Sequence, residues 1–525
     1  MKLYTLHELD PSDGTVQLHK AESQGSGSIV LVPHPSDSDP NDPLRWPTWK
    51  KHIAFTCVCA FTFLTNYGIG GLAPAFYLLS IEFNKTMTET SDLLLWPILV
   101  LGVFNFFWVP LANYFGKRPV FVFASLLLAV CYIWGAAAQS FQSLLWSNII
   151  AAFAGSSTEA LGASMVNDLY FLHERGAKMA IYMNAISGGN TIGPLLCGFI
   201  VTGLSWRWHK WIAAILTSIN FLAVLFFVPE TRYFRDEHSV DDEKETRLHA
   251  SDPEKSPSAI REQQPGGSPD RSSSNEVPKK TFMQELSLWS GVAKGTNLLK
   301  MFVRPFPMIS YPCVIYAFLG YAMSLVLVVA VNILNPFVLQ APPYSWSPMI
   351  NGLINLPGFI GNVAGAYAGG WLVDVYSDWR ARKNNGVFEP ESRLLLTVLP
   401  LIITGAGCLV FGYGVERTLH WTSLFFGYGM VSFALTAVPT ITMTYVSDCV
   451  LPVNMDALML VNGLKNIVAF GFLYGIIPWV EDVGYVNCFG AQAGIFVAII
   501  LIGATSLIIF GAKMRHAQAS WRIIL

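Results

Sequence analysis

The chain alternates between long apolar stretches and short connections that are polar or rich in Pro and Gly. A helix needs about 20 mainly apolar residues to cross a hydrocarbon layer about 30 Å thick, and twelve stretches of this kind are nearly free of Asp, Glu, Lys and Arg. The pattern predicts spans 1–6 near 52–76, 93–113, 119–138, 143–166, 179–203 and 211–228. It predicts spans 7–12 near 309–334, 349–373, 394–414, 419–446, 457–479 and 487–512.

A polar segment separates the two groups of spans. Residues 235–280 are mainly Asp, Glu, Lys, Arg, Ser and Pro, which cannot bury a core, and apolar positions at helical spacing after them, including Phe282 and Trp289, predict a short amphipathic helix. The predicted fold is all-α, with two pseudo-symmetric six-helix bundles. Its parts are a polar cytosolic tail (1–51), an N-terminal bundle (52–228), a largely disordered cytosolic linker (229–308), a C-terminal bundle (309–512) and a cytosolic tail (513–525).

Composition excludes most soluble functions. Hydrophobic residues occupy 53% of the 525 positions and charged residues only 13%, which gives more apolar surface than one soluble core buries. A net charge of −2 without a basic surface argues against nucleic acid as a partner. The eight cysteines lack metal-binding spacing, so they are expected to be packing residues, with no metal and no cofactor. Residues 1–45 show no cleavable signal, so span 1 is expected to direct membrane insertion.

Cations cluster at alternate connections between the predicted spans. On one side they are Arg45, Lys50, Lys51, Lys117, Arg118, Arg175, Lys178, Arg380, Arg382, Lys383, Lys513 and Arg515. The positive-inside rule places this side, both termini and the linker in the cytosol. The opposite side carries the scattered cations Lys85, Arg207, Lys210 and Arg417. The sequon Asn84-Lys85-Thr86 falls in the predicted first external loop, so Asn84 is expected to carry a glycan.

The connection between spans 2 and 3 carries a distinctive loop. Residues 111–119 (L-A-N-Y-F-G-K-R-P) resemble the G-x-L-A-D-R-x-G-R-R signature of the major facilitator superfamily, through Asn113, Gly116, Lys117 and Arg118. Between spans 8 and 9, the stretch from Gly370 to Asp374 is similar to a repeat of the signature and keeps the acid that Asn113 replaces. The resemblance covers the chain from about Trp46 onward. It implies that the acid faces a helix N-terminus of the opposite half; an ordinary charged turn is the alternative.

Span 5 contains the most diagnostic motif. Gly189, Gly193, Pro194 and Gly198 resemble the signature of proton-coupled antiporters within the superfamily. Small residues four apart allow close backbone approach, and a proline is expected to kink the helix. Span 8 has a similar stripe, formed by Gly361, Gly365 and Gly369. Because spans 5 and 8 meet across the halves in this superfamily, the resemblance implies a seam on which the halves rock; ordinary helix packing is the alternative.

Two ionisable residues lie well inside predicted spans, Glu159 in span 4 and Lys465 in span 11. A charge at mid-helix costs about 2.5–3.5 kcal/mol on insertion scales, so each is a functional candidate. The surroundings of Glu159 resemble the fungal drug:proton antiporter branch, although Asn148 replaces an Arg that this branch associates with proton coupling. Glu159 is expected to bind a proton or a cationic substrate, or to be satisfied by neighbouring helices. Lys465 is expected to pair with an acid or an anionic group across the cavity, or to snorkel.

Further polar residues resemble those of the same branch. Charged residues near the cytosolic ends have an implied role in closing that side through ion pairs; they are Asp168, Arg175, Glu230, Arg232, Glu391 and Arg393. Spans 1, 7 and 10 line the central cavity in the superfamily, so polar side chains on them are candidate substrate contacts. These are Asn66, Tyr67, Tyr321, Asn332, Thr442 and Tyr445.

The function expected from these features is proton-coupled efflux of a hydrophobic or amphipathic small molecule, a drug or secondary metabolite, by a monomer in the plasma membrane. The nearest alternative is proton-coupled uptake of a cationic nutrient such as a polyamine, which Glu159 would suit. Sugar uniport is disfavoured because its loop signatures are degraded here. A non-transporting sensor would need a signalling extension, and an enzyme or ATP-driven pump would need a catalytic or nucleotide-binding motif, none of which the sequence shows.

Overall fold

The structure is a computed structural model that describes residues 16–17, 39–232, 281–287, 298–342, 344–384, 387–450 and 454–519. The predicted disordered segment 235–280 lies outside the described residues. The predicted amphipathic helix is described only in part, as a helical turn at Phe282–Glu285, and Trp289 lies outside.

The first half is a series of helices joined by short connections. They are α1 Thr48–Gly70, α2 Phe76–Glu82, α3 Met87–Phe115, α4 Lys117–Ala136, α5 Phe141–Leu169, α6 Leu172–Gly203 and α7 Trp206–Phe227. The sequence sets several boundaries: Thr86 and Glu89 form a reciprocal capping box that begins α3, and Gly116, with φ 108°, makes the turn between α3 and α4. Predicted spans 1–6 therefore correspond to α1 and α3–α7.

The second half follows the linker. Two short helices lie within the predicted linker, α8 Phe282–Glu285 and α9 Leu298–Val303. The helices of the second half are α10 Pro312–Leu339, α11 Pro348–Leu353, α12 Asn355–Gly369, α13 Trp371–Lys383, α14 Val398–Glu416, α15 Trp421–Cys449, α16 Asn454–Tyr474, α17 Ile476–Val483 and α18 Tyr485–Ala519. Short 3₁₀ helices lie at Pro43–Arg45, Ala73–Ala75, Phe306–Ser310 and Pro390–Thr397. In the described part of the chain, the two-residue strand β1, Val16–Gln17, pairs antiparallel with β2, Val387–Phe388.

Eleven helices in the described residues are long and apolar enough to cross a membrane. The predicted span at 349–373 differs from expectation because two shorter helices, α11 and α12, replace one continuous helix. At the break, the Gly352 carbonyl accepts from the Asn355 side-chain amide at 3.2 Å and from the backbone N–H of Ile354. Elsewhere, large apolar side chains such as Ile219, Ile402 and Ile502, between 60% and 68% exposed, form the outer surface that lipid would cover.

The bundle has two ends. We call the one with Lys117, Glu230 and Arg393 the linker end, and the one with Gly71 and Gln340 the far end. The halves touch at both: Arg175 Nη1 lies 3.1 Å from Asp448 Oδ1 at the linker end, and Gln340 Nε2 donates to the Pro74 carbonyl at 2.8 Å at the far end. The halves are therefore in contact at both ends of the bundle.

The glycine stripes pack differently from the expected seam. Gly189 and Gly193 face α1, where a methyl group at Gly193 would lie 2.9 Å from the Gly71 Cα. Gly361, Gly365 and Gly369 face α15, inside the same half, so their expected inter-half role is wrong. Spacing of four residues identifies a small-residue face of a helix but not the neighbour that covers it.

The contact between spans 5 and 8 does exist, but other residues make it. A methyl at Gly198 would lie 3.0 Å from the Gly352 Cα of α11, so the two backbones approach closely here. Deeper in the bundle, the Asn362 side-chain amide of α12 reaches the Ser187 carbonyl and the Thr191 hydroxyl of α6, each at 3.3 Å. The seam between the halves is therefore partly polar.

Candidate functional site

The centre of the molecule contains a buried ion pair between the halves. Glu159 Oε1 on α5 lies 3.3 Å from Lys465 Nζ on α16, and the residues are 3% and 1% exposed. Asn466 Nδ2 donates to Glu159 Oε2 at 2.7 Å, and Asn105 Nδ2 on α3 donates to the same oxygen at 3.3 Å. Of the two possibilities for Lys465, the structure shows pairing with an acid rather than snorkelling.

Three further contacts fix the Glu159 backbone and the Lys465 side chain at this site. Asn462 Nδ2 donates to the Glu159 carbonyl at 3.0 Å, and Tyr182 OH donates to it at the same distance. The Lys465 ammonium lies 4.1 Å from the ring centroid of Tyr321, a cation–π contact. Tyr321 is thus the one residue among the six predicted cavity candidates that the described contacts bring to the central pair.

Two hydrogen-bond acceptors beside the central pair have no donor among the described residues. The Oδ1 atoms of Asn105 and Asn462 are buried without a partner among the described residues. Both amide orientations are fixed, because each Nδ2 donates to a carbonyl of its own helix, Leu101 for Asn105 and Leu458 for Asn462. A buried acceptor without a donor costs free energy, so the site is chemically suited to a donor-bearing ligand.

Asn148 lies in a different cluster from Glu159. The two are eleven positions apart on α5, which corresponds to about 16 Å along the helix axis. Asn148 Oδ1 accepts from Lys210 Nζ at 2.7 Å near the far end. The expectation that Lys210 is a loop cation is wrong: it is the fifth residue of α7 and is fully buried, because its side chain extends inward to the end of α1.

The remaining cavity candidates are buried but dispersed. Asn66 Oδ1 accepts from Asn190 at 3.3 Å, and the Tyr67 ring stacks on His209 at 4.5 Å. Asn332 Oδ1 lies 3.1 Å from Tyr428 OH, beside a cavity of about 10 Å³ that has room for roughly one water molecule. Two others lie on α15 and are fully or almost fully buried: Thr442, whose hydroxyl donates to its own helix, and Tyr445.

At the linker end, Asp448 forms an ion pair with one arginine from each half. Its Oδ1 accepts from Arg175 Nη1 of the first half at 3.1 Å, and its Oδ2 accepts from Arg393 Nε at 2.8 Å. Arg393 Nη1 also donates to Asp374 Oδ1 at 2.6 Å. Two carboxylates and two guanidinium groups thus neutralise one another at the place where the halves meet.

Asp374 makes a second contact between the halves. Its Oδ2 accepts the backbone N–H of Ala177, in the second turn of α6, at 2.8 Å. Burial raises the pKa of Asp374, and the adjacent Arg393 guanidinium acts in the opposite direction. A methyl group at Gly370 would lie 3.1 Å from the Gly176 carbonyl, so glycine permits this approach. The geometry that the loop resemblance implied is therefore present at the second of the two loops.

The loop between α3 and α4 is held by hydrogen bonds to residues of its own half. Glu230 accepts the backbone N–H groups of Lys117 and Arg118 at 3.1 and 3.2 Å, which caps the start of α4. Arg232 donates to the carbonyls of Asn113 and Tyr114 at 3.1 and 3.0 Å, which caps the end of α3. Other ion pairs at this end join Lys117 to Asp168, and Glu391 to Arg515 at 2.9 Å.

Sequence reasoning missed several polar residues that the structure places in these clusters. They are Asn105, Asn462, Asn466, Lys210, His209 and Asp448. The sequence pattern could have identified two of the amides. Asn462 and Asn466 lie four residues apart on one face of the helix, three residues before and one residue after Lys465. Asp448 lies just after the predicted end of span 10, so its burial was not evident from hydropathy.

Two half-bundles closed around a buried ion pair, with separate contacts at each end, define a polytopic membrane protein of the secondary-transporter class. The sequence model described as Major Facilitator Superfamily matches residues 57–463, and the chain belongs to that superfamily. The predicted family is thereby confirmed.

Individual relatives agree with this assignment. Protein HOL1 of Saccharomyces cerevisiae is 25% identical, over 99% of this chain and 95% of its own. The MFS antiporter QDR3 of Candida albicans is 22% identical, over 93% of this chain and 80% of its own. The solved proton:xylose symporter XylE, 12% identical, superimposes with a TM-score of 0.58 over 89% of this chain and 96% of its own, a likeness of fold alone.

Proposed function

We propose that the chain is a proton-coupled exporter that moves a hydrophobic or amphipathic small molecule by alternating access. The observation that carries the proposal is the buried pair of Glu159 and Lys465, which joins the halves at mid-depth. A carboxylate in the middle of a membrane is a functional candidate by default, because placing it there costs free energy. Here any change in its charge acts directly on the contact between the halves.

Protonation of Glu159 provides the coupling step. A neutral Glu159 no longer attracts Lys465, and a buried ammonium without its partner favours separation of α5 from α16 and entry of water. A substrate with a positive or donor-bearing group competes with both the proton and Lys465 for the same carboxylate. Mutually exclusive binding of proton and substrate at one acid is sufficient for exchange of the two across the membrane. The relative QDR3 is named an antiporter, which supports this mode.

Alternating access requires each end to open while the other stays closed. In the proposed cycle, the linker end is closed by Asp448 with Arg175 and Arg393, and the far end by the approach of Gly198 to Gly352. The central pair lies between these two closures. Breaking the central pair removes the ion pair that joins the halves between the two ends.

The linker end is proposed to lie in the cytosol, because the connections at that end contain most of the cations. In this orientation both termini are cytosolic, the moving bodies are the bundles at 52–228 and 309–512, and 229–308 is a cytosolic linker. We place the protein in the plasma membrane as a monomer, with both lipid and proton as its partners.

Uptake of a cationic nutrient such as a polyamine is the second candidate function. The buried acceptor oxygens of Asn105 and Asn462 beside the Glu159 carboxylate favour a ligand with several N–H donors. Such a ligand would replace Lys465 at Glu159 without leaving the acid unpaired. Export and uptake differ in whether proton and substrate move in opposite directions or in the same direction.

The test is flux into and out of proteoliposomes under an imposed pH gradient, with ethidium as the amphipathic probe and radiolabelled spermidine as the polyamine probe. We expect wild-type protein to move ethidium against the proton flow, and Glu159→Gln to lose the gradient dependence. Glu82→Gln, at an exposed pair with Arg207, is the matched control and should behave as wild type. Spermidine moving with protons would establish the second function. Flux that does not depend on the pH gradient, or no flux of either probe, would overturn proton-coupled transport of amphipathic molecules and polyamines.

A further inference from the structure

Lys210 is a buried cation that the proposed cycle does not use. It is 0% exposed, and its Nζ donates to the Gly68 carbonyl of α1 at 2.5 Å and to Asn148 Oδ1 of α5 at 2.7 Å. The Tyr132 ring centroid of α4 lies 5.3 Å from the ammonium. Lys210 thus joins four helices of the first half at one point near the far end.

The Gly68 carbonyl belongs to the last turn of α1. The helix ends at Gly70, and the chain continues through the 3₁₀ turn Ala73–Ala75 into α2. Carbonyls in a last turn lack helical partners and form the negative end of the helix dipole, where a cation is stabilised. His209 Nε2 lies 3.2 Å from the neighbouring Tyr67 carbonyl, so two consecutive side chains of α7 cap this end.

Among the described residues, no carboxylate balances this ammonium. None lies within 4.0 Å of Lys210 Nζ, in contrast to Lys465, which has Glu159. The titratable groups that face Lys210 from the packed helices are Cys131, Tyr132 and Cys197, with His209 beside it on α7. Unlike Asp and Glu, side chains of these types are not ordinarily anions at neutral pH. A lysine can exchange its proton in such a site, whereas an arginine cannot.

The chain just beyond Gly68 carries the contact between the halves at the far end. Gly71 packs against Gly193 of α6, at 2.9 Å from a methyl placed there, and the Pro74 carbonyl accepts from Gln340 of the second half. A bond that fixes the end of α1 therefore also fixes the segment on which the far end closes. Loss of the hydrogen bond between Lys210 and the Gly68 carbonyl would therefore release the segment from Gly71 to Pro74.

We propose that Lys210 is a positioning residue for proton coupling: its charged ammonium holds the end of α1 and keeps the far end closed, and loss of its proton releases that end. This role of Lys210 rests on the proposed function, because it contributes to transport only if the protein couples transport to protons. Asn148 then acts as the second acceptor for the ammonium, a role for which an amide oxygen is sufficient.

The experiment measures accessibility of the far end in the full-length protein reconstituted in liposomes. Ala73→Cys places a thiol in the buried turn beside Pro74, and its reaction with N-ethylmaleimide is followed by peptide mass spectrometry from pH 6 to 9. Because every thiol reacts faster as pH rises, the reference is Ala73→Cys in the Lys210→Arg background, where the same thiol has a fixed charge near it. Asn84→Cys, in an exposed turn, reports reagent activity.

We expect the Ala73→Cys rate to rise more steeply with pH in the presence of Lys210 than in the Lys210→Arg background, where the guanidinium keeps its charge throughout. Lys210→Met should raise the rate roughly tenfold at pH 6, the effect of losing one charge-assisted hydrogen bond. Identical pH profiles with lysine and arginine would overturn the proposal, even if Lys210→Met fails to fold. A lysine-dependent profile in protein that shows no gradient-driven flux would support the positioning role of Lys210 and refute the proposed transport.

Discussion

Glu159 and Lys465 form an ion pair at 3.3 Å although 306 positions separate them in the sequence. One belongs to each half of the molecule, so the pair exists only while the halves are together. Both side chains are almost fully buried, and each would be left as an uncompensated charge if the other were removed. The same contact is therefore a structural bond and a point at which charge controls conformation.

A double-mutant cycle should reveal this coupling. Glu159→Gln or Lys465→Met alone is expected to destabilise the protein by about 3–5 kcal/mol, because one buried charge loses its partner. The double variant should lose less than the sum of the two, because no charge remains unpaired. Thermal or denaturant unfolding of purified protein in detergent measures all four forms.

The exposed pair of Glu82 with Arg207 provides the control cycle, and its coupling should be small. Additive effects at Glu159 and Lys465 would show that the pair contributes no coupling, contrary to its geometry.

Asp448→Asn is expected to open the linker end. The substitution leaves Arg175 and Arg393 buried with a weaker partner, so the equilibrium should move towards separation of the halves at that end. The adjacent Cys449 is 7% exposed, and its alkylation rate, followed by peptide mass spectrometry, should increase about tenfold or more. Asp378→Asn breaks an exposed pair with Arg382 and should leave the rate unchanged. Equal rates in the two variants would exclude a closing role for Asp448.

Two glycines of α6 provide a matched test of backbone packing. A methyl at Gly193 would lie 2.9 Å from the Gly71 Cα and 3.1 Å from the Tyr67 carbonyl, and backbone cannot move aside as a side chain can. Gly193→Ala is therefore expected to destabilise the protein by about 1–3 kcal/mol. Gly203→Ala, where nothing lies within 4 Å, should change stability by less than about 0.5 kcal/mol. Unfolding midpoints of the two variants measure this difference in stability. Equal midpoints would contradict the close contact of Gly193 with the end of α1.

The orientation can be tested at Asn84. Its side chain is exposed in the turn after α2, at the end opposite the linker, and its sequon is complete. If the linker end is cytosolic, expression in a eukaryotic host should attach a glycan that peptide N-glycosidase removes and that Asn84→Gln eliminates. A glycosylation site introduced in residues 235–280, which the proposed orientation assigns to the cytosol, should remain unmodified. Modification there and not at Asn84 would reverse the proposed orientation.

The amino-acid sequence by itself determined the fold class and family, because spans of about 20 apolar residues and short loop motifs are local properties that hydropathy and residue type record directly. It also singled out Glu159 and Lys465, since an isolated charge in an apolar helix is visible without any structure. It did not show that they pair, nor that Asn105, Asn462 and Asn466 surround them, because these contacts join helices far apart in the sequence.

Only the tertiary structure decided which neighbour each helix face meets. Gly361, Gly365 and Gly369 face α15 rather than the other half. Lys210, which was expected in a loop, has its side chain buried in the core. The reason is physical: helical spacing defines a face of a helix, but the rotation and tilt of the helix in the bundle determine what covers that face. The buried amide acceptors around Glu159 and the ammonium of Lys210 at the end of α1 are consequences of that packing, and no local pattern encodes them.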